Sequence, residues 1–157
     1  MSTSHTSLTG AAGEHFVAYR LSSMGHAVAL TRGGSPTVDL MVCDDAGCSA
    51  VSIQVKTSRW AWRSRKRDPA KSHWEWDVGP RVLLVPPSQS RFYAFVDLCC
   101  EADGVTTRPT VFLVPSQDVH AFVQSEWSRK MFWIFAEDKD KYCEAWHRIT
   151  DRLSPHK

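Results

Sequence analysis

The sequence predicts an α/β fold, a central mixed β-sheet flanked by helices, built as one domain. Three observations carry this reading. A helical repeat of apolar residues runs through 10–24. Two alternating segments, 37–43 and 51–56, flank a turn signal. Short apolar segments then recur toward the C-terminus and end in a second helical repeat. With 157 residues, 43% hydrophobic and 23% charged, the chain is sized and composed for a single core.

In the first element Val17, Leu21 and Met24 recur at i, i+4 and i+7. Thr9 is placed to cap the helix and Gly25 to end it. Glu14, three residues before Val17, falls on the same inward stripe, where an ionised carboxylate is costly unless a cation or donor meets it. Residues 26–31 read as a strand, Gly33-Gly34-Ser35-Pro36 as a turn, and 37–43 as a second strand. Side chains alternate across a strand, so Val38, Leu40 and Val42 face one way and Asp39 and Met41 the other. Asp44-Asp45-Ala46-Gly47 signals a turn into a third strand, where Val51, Ile53 and Val55 alternate with Ser52, Gln54 and Lys56. Pairing Val42 with Val51 aligns the apolar rows. The same register sets Asp39 opposite Gln54, with Lys56 two residues on.

Beyond residue 71, apolar segments at 82–85, 92–98, 110–114 and 131–135 read as further strands, separated by Pro86-Pro87, Asp103-Gly104 and Pro115. Ser116-Gln117-Asp118 is placed to cap a short helix. A final helix over 137–153 presents Tyr142, Trp146, Ile149 and Leu153 on one face.

Composition narrows the function classes. No run approaches the ~20 apolar residues of a membrane span, and residues 1–10 are polar rather than signal-like, which predicts a cytoplasmic protein. The five cysteines, Cys43, Cys48, Cys99, Cys100 and Cys143, lack a repeated metal-binding spacing and are expected to be reduced and mostly buried. No phosphate loop, dinucleotide fingerprint, nucleophile elbow or HExxH pattern occurs. The formal charge is only +2, but its distribution is uneven. Between Thr57 and Trp74 stand Arg59, Arg63, Arg65, Lys66, Arg67 and Lys71 against the single acid Asp68. Trp60, Trp62, Trp74 and Trp76 are interleaved with them. Cations that neutralise phosphates and rings that stack on bases point to nucleic acid, with Arg59, Trp60, Trp62, Arg63, Arg65, Lys66, Arg67 and Lys71 as contacts. The same tryptophans also suit a core or an edge strand.

A helix bearing Glu14, a strand bearing Asp39 and a strand reading Gln54-Val55-Lys56 together resemble the PD-(D/E)XK nuclease superfamily. The fifteen residues from Asp39 to Gln54 suit a hairpin. The resemblance covers mainly residues 9–58 and implies a restriction-endonuclease-like core. In its Gln-x-Lys form it is similar to Mrr-type restriction enzymes and Holliday-junction resolvases. It implies a Mg²⁺-dependent (or Mn²⁺-dependent) endonuclease acting on DNA. Asp39, Gln54, the Val55 carbonyl and Glu14 would be metal ligands, and Lys56 would serve the attacking water and the transition-state charge. Enzymes with such cores often work as homodimers. Two features depart from the pattern: Val38 stands where Pro is common, and Gln54 brings no negative charge. The alternative is a catalytically inactive nuclease-fold module that binds DNA or a partner protein. A third reading makes Glu14 and Lys56 a structural ion pair.

Overall fold

The computed structural model describes residues 3–31, 37–100, 108–124 and 127–154, with side chains from residue 6 onward. The turns expected at Gly33-Gly34-Ser35-Pro36 and Asp103-Gly104 lie outside the described residues. Helix α1 (Thr3–Ser23) precedes strands β1 (Ala27–Leu30), β2 (Leu40–Cys43), β3 (Ala50–Ser58), β4 (Trp62–Arg63), β5 (His73–Asp77), β6 (Arg91–Asp97) and β7 (Thr110–Pro115). Helix α2 (Ser116–Phe122), strand β8 (Met131–Phe135), and helices α3 (Lys139–Tyr142) and α4 (His147–Leu153) complete the chain.

The fold is the expected mixed α/β architecture. Its central sheet runs β1-β2-β3-β6-β7, with β3 and β6 parallel and the other neighbours antiparallel. A second, antiparallel sheet, β4-β5-β8, stands beside it. Among the described residues no helix is long and apolar enough to cross a membrane.

Two apolar clusters divide the interior. On one face of the central sheet, Leu40, Val42, Val51, Ile53 and Val55 pack with Val17 and Leu21 of α1 and with Trp146, Ile149 and Leu153. On the other face, Tyr93, Phe95, Phe112 and Val114 meet Trp76, Phe132 and Ile134 of the second sheet. Strands β6 and β7 are therefore buried on both faces. In β3 the alternate residues Ser52 and Lys56 stay partly exposed, and Met41 of β2 is 41% exposed. This leaves a half-open polar face next to the second sheet.

Several local expectations are corrected. Helix α1 starts at Thr3, not after Thr9, because residues 3–9 contain neither Pro nor Gly to interrupt it. Its end is as expected. Gly25, at φ +89°, donates its N–H to Ser22 (3.0 Å), and His26 donates to Leu21 (3.2 Å), closing a Schellman motif. Met24 falls beyond the buried stripe and is 38% exposed. Residues 82–85 are no strand: Pro80–Leu83 form a 3-10 turn, set by Gly79 at φ +76° and by the fixed φ of Pro80. The hydroxyl of Ser116 does not cap α2. It donates to the Ser88 carbonyl (2.8 Å) and accepts the Ser88 N–H (2.9 Å), tying down the preceding loop.

The expected C-terminal helix is broken. Cys143 bridges to Phe112 at the edge of β7, and Glu144, at φ +50°, donates its N–H to the Val111 carbonyl (2.7 Å) and accepts the Val111 N–H at Oε1 (3.0 Å). Satisfying that sheet edge outweighs helix continuity here. The cysteines are thiols rather than disulfides, as expected, but none is buried: Cys48 is exposed and the others are intermediate.

Candidate functional site

The hairpin register fixes the centre of the site. Val42 pairs with Val51 and Leu40 with Ile53, and the Asp39 N–H donates to the Ile53 carbonyl (2.9 Å), so the ladder continues one residue past β2. Asp39 is thereby brought to Gln54 and Val55. Gln54 Nε2 donates to Asp39 Oδ2 at 2.6 Å, and the Val55 N–H donates to the same oxygen at 2.7 Å. Both bonds engage Oδ2, which leaves Oδ1 for a further partner. Within a strand the N–H and C=O of one residue point to the same edge, so the Val55 carbonyl also points to the edge where β2 has ended. Gln54, nine-tenths buried, keeps Oε1 as its remaining acceptor.

Glu14 comes within electrostatic range of this centre from the helix. Helix α1 covers the apolar face of the sheet, not the polar one. What brings Glu14 close is the residue beside it. A Cβ placed on Gly13 would lie 2.9 Å from Thr57 Cβ and Cγ2, and closer still to Oγ1, so the helix backbone lies directly on β3 there. Glu14 then sits where Asp39's charge acts on it. Its pKa is raised first by burial and then by Asp39, while His15 lowers it. The pKa of Asp39 is raised by burial, against the Val55 N–H, the Lys56 ammonium and the Gln54 amide, which lower it. The Gly13 contact was missed in the sequence, although a glycine inside a helical pattern is a usable signal.

Lys56 lies near enough to act on Asp39 electrostatically, and among the described residues neither Lys56 nor Glu14 takes part in an ion pair. The structural Glu14–Lys56 pair is thus not formed. Asp97, opposite Ser58, is also buried, and burial raises its pKa. Its carboxylate accepts N–H groups of Cys99 and Ala61, which fixes the chain as it leaves the sheet.

The carboxylates of Asp39 and Glu14, the Gln54 amide oxygen and the Val55 carbonyl are all oxygen donors, a chemistry that would fit a hard divalent cation rather than zinc. Among the described residues no three His, Cys, Asp or Glu side chains gather into a metal cage.

The basic, tryptophan-rich segment forms the β4–β5 hairpin and its loop, inside the crossover from β3 to the parallel β6. Trp76 is core and donates Nε1 to the Val96 carbonyl (3.0 Å), and Trp74 packs on Trp62 with centroids 4.3 Å apart. Arg63 Nε is engaged by Glu75 (2.8 Å), and Lys71 pairs with Asp68 (2.9 Å). Arg59, Trp60, Arg65, Lys66 and Arg67 are exposed.

The raised pKa values have a testable sign. For an acid whose folded pKa lies above its unfolded one, the native state binds more protons between the two values, so stability rises as pH falls through that interval. In chelator at pH 7, Asp39→Asn should therefore melt higher than wild type. The difference should shrink as pH falls toward Asp39's unperturbed 3.8. Scanning calorimetry across this range checks it, and a pH-independent difference would contradict the assignment.

The fold is similar to one solved structure described as that of a bacterial homing endonuclease, I-Ssp6803I. The TM-score is 0.58 and the identity 21%, over 96% of this chain and 94% of that one. At that identity the likeness is one of fold. No protein-family model matches the sequence, and no curated protein matches it.

Proposed function

We propose that the chain is a metal-dependent endonuclease of the PD-(D/E)XK type, hydrolysing phosphodiester bonds of DNA. The observation that carries this reading is the convergence of Gln54 Nε2 and the Val55 N–H on Asp39 Oδ2, beside a second carboxylate that Asp39 repels. Two like charges brought together at a half-buried sheet edge are a net cost to the fold unless a cation serves them. The fold-level likeness to a homing endonuclease supports the same reading.

Asp39, Glu14, the Val55 carbonyl and Gln54 Oε1 would hold Mg²⁺ or Mn²⁺, which when bound supplies Lewis acidity at the phosphodiester. Gln54 and the Val55 N–H fix the rotamer of Asp39, so its free Oδ1 is oriented before any ligand arrives. Lys56, on the same face as Gln54, offers an ammonium unengaged by any ion pair among the described residues. It can donate to a phosphate oxygen or to the attacking water. The exposed Arg59, Arg65, Lys66 and Arg67 supply phosphate contacts along the strand leaving the site.

Labelled duplex, single-stranded and branched DNA, incubated with Mg²⁺ or Mn²⁺, tests this directly. Internal cleavage is expected that needs the metal and falls at least ~10³-fold in Asp39→Ala. The neutral Gln54 supports one other reading, a nuclease-fold module that binds without cutting. Salt-dependent binding with no cleavage under either metal would select it.

A further inference from the structure

The outer face of the second sheet carries an aromatic cavity. Antiparallel pairing sets His73 opposite Phe135 and Glu75 opposite Trp133. Those residues share one face, while Trp76, Phe132 and Ile134 point the other way into the core. A strand face turned away from the core ordinarily carries polar residues. Here it carries three rings: His73 lies 5.0 Å from Trp133 and 5.6 Å from Phe135, centroid to centroid. Residues of the β4–β5 loop line, together with them, an open cavity of about 750 Å³, within the size range of small-ligand sites.

Its rim is basic. Arg65, Lys66, Arg67 and Lys71 line it with the acid Asp68, which is taken up by Lys71. Arg65, Lys66 and Arg67 are exposed and form no ion pair among the described residues. The loop is built rather than loose: Ser72 Oγ accepts the Arg65 N–H (2.9 Å), and Asp68 and Lys71 close successive backbone turns. Two rings in the wall also each carry a buried nitrogen with no hydrogen-bond partner, His73 Nε2 and Trp133 Nε1. His73 is 3% exposed, its Nδ1 donates to the Lys71 carbonyl (2.8 Å), and its Nε2 stands 3.6 Å from Glu75 Oε2.

We propose that this cavity binds an unstacked nucleotide of a nucleic-acid strand, the base against Trp133, Phe135 and His73 and its phosphate on the Arg65–Arg67 rim. A flat aromatic ligand with a neighbouring anion matches both the walls and the charge, and every base offers a π-face. Ser64 stands eight residues beyond Lys56, a separation of at most ~29 Å, so one strand can reach both the cavity and the Asp39 cluster. That link to cleavage rests on the nuclease reading; the binding does not.

The test is metal-free binding of the full chain to an oligonucleotide with one unpaired 2-aminopurine, against the same oligonucleotide abasic at that position. Wild type should prefer the base by about ten-fold, with 2-aminopurine fluorescence quenched on binding. Trp133→Leu should erase the preference, and Phe135→Leu serves in its place if that variant fails to fold. Arg67→Glu should weaken binding of both oligonucleotides. Equal affinity for the two oligonucleotides, or a preference surviving both ring variants, overturns the proposal. Because the assay contains no metal and reads no cleavage, its failure is separable from failure of the endonuclease reading.

Discussion

Alanine in place of Lys56 should cut metal-dependent DNA cleavage by about 10²- to 10⁴-fold, the range expected when one positioned acid–base or electrostatic group is removed. The melting temperature should stay within ~3 °C of wild type, because the side chain is only partly buried and forms no ion pair among the described residues. DNA affinity should fall modestly, since the exposed arginines beyond β3 remain. Single-turnover cleavage, a binding isotherm and a thermal melt on the same preparation separate the competing roles. A structural lysine predicts lost stability with residual activity in proportion to the folded fraction. A lysine serving only to hold the backbone predicts a raised Kd with the single-turnover rate unchanged. Either pattern would count against its place beside the reacting phosphate.

The parts of the site that could be read in the sequence follow from one physical regularity. Strands β2 and β3 are fully covered on one face and only partly on the other, so their apolar residues alternate, and alternation fixes both the faces and the pairing register. Hence the Val42–Val51 pair, and with it the meeting of Asp39 and Gln54, could be derived before any coordinates. Strands β6 and β7 show no alternation because they are buried on both sides, and there only the existence of a strand was legible.

Where the reading failed, tertiary contacts reused a local pattern. Tyr142 and Trp146 sit at helical spacing and are both buried, yet they belong to different clusters on opposite faces of the sheet. The chain crosses between them at Cys143 and Glu144, which complete the edge of β7. In residues 59–76 the tryptophans also suited a core or an edge strand, and Trp62 on β4 with Trp74 and Trp76 on β5 are such residues, but how those strands pair was not legible. The second partner of β5, β8, lies more than fifty residues away in sequence, a pairing that no local window contains. The cavity over His73, Trp133 and Phe135 depends on that pairing.

The contact that seats Glu14 leads to the second large effect. Gly13→Ala adds a methyl group that would lie 2.9 Å from Thr57 Cβ and Cγ2, with Oγ1 nearer still. In an open helix the substitution would stabilise by up to ~1 kcal/mol. Here it should instead destabilise by about 1–3 kcal/mol, since overpacking between a helix and a central strand forces one of them to move. Thr57→Ala alone should cost little, because its hydroxyl is buried with no hydrogen-bond partner. Combined with Gly13→Ala it should recover part of the loss, since Oγ1 and Cγ2 are removed while Cβ stays, giving a coupling energy on the order of 1 kcal/mol in urea unfolding. Cleavage by Gly13→Ala should fall further than the unfolded fraction explains, because a helix lifted from β3 carries Glu14 away from Asp39. If stability drops while cleavage per folded molecule is unchanged, the close approach serves packing alone and Glu14 leaves the metal site. If both fall and Thr57→Ala restores both, the glycine is what places the second carboxylate.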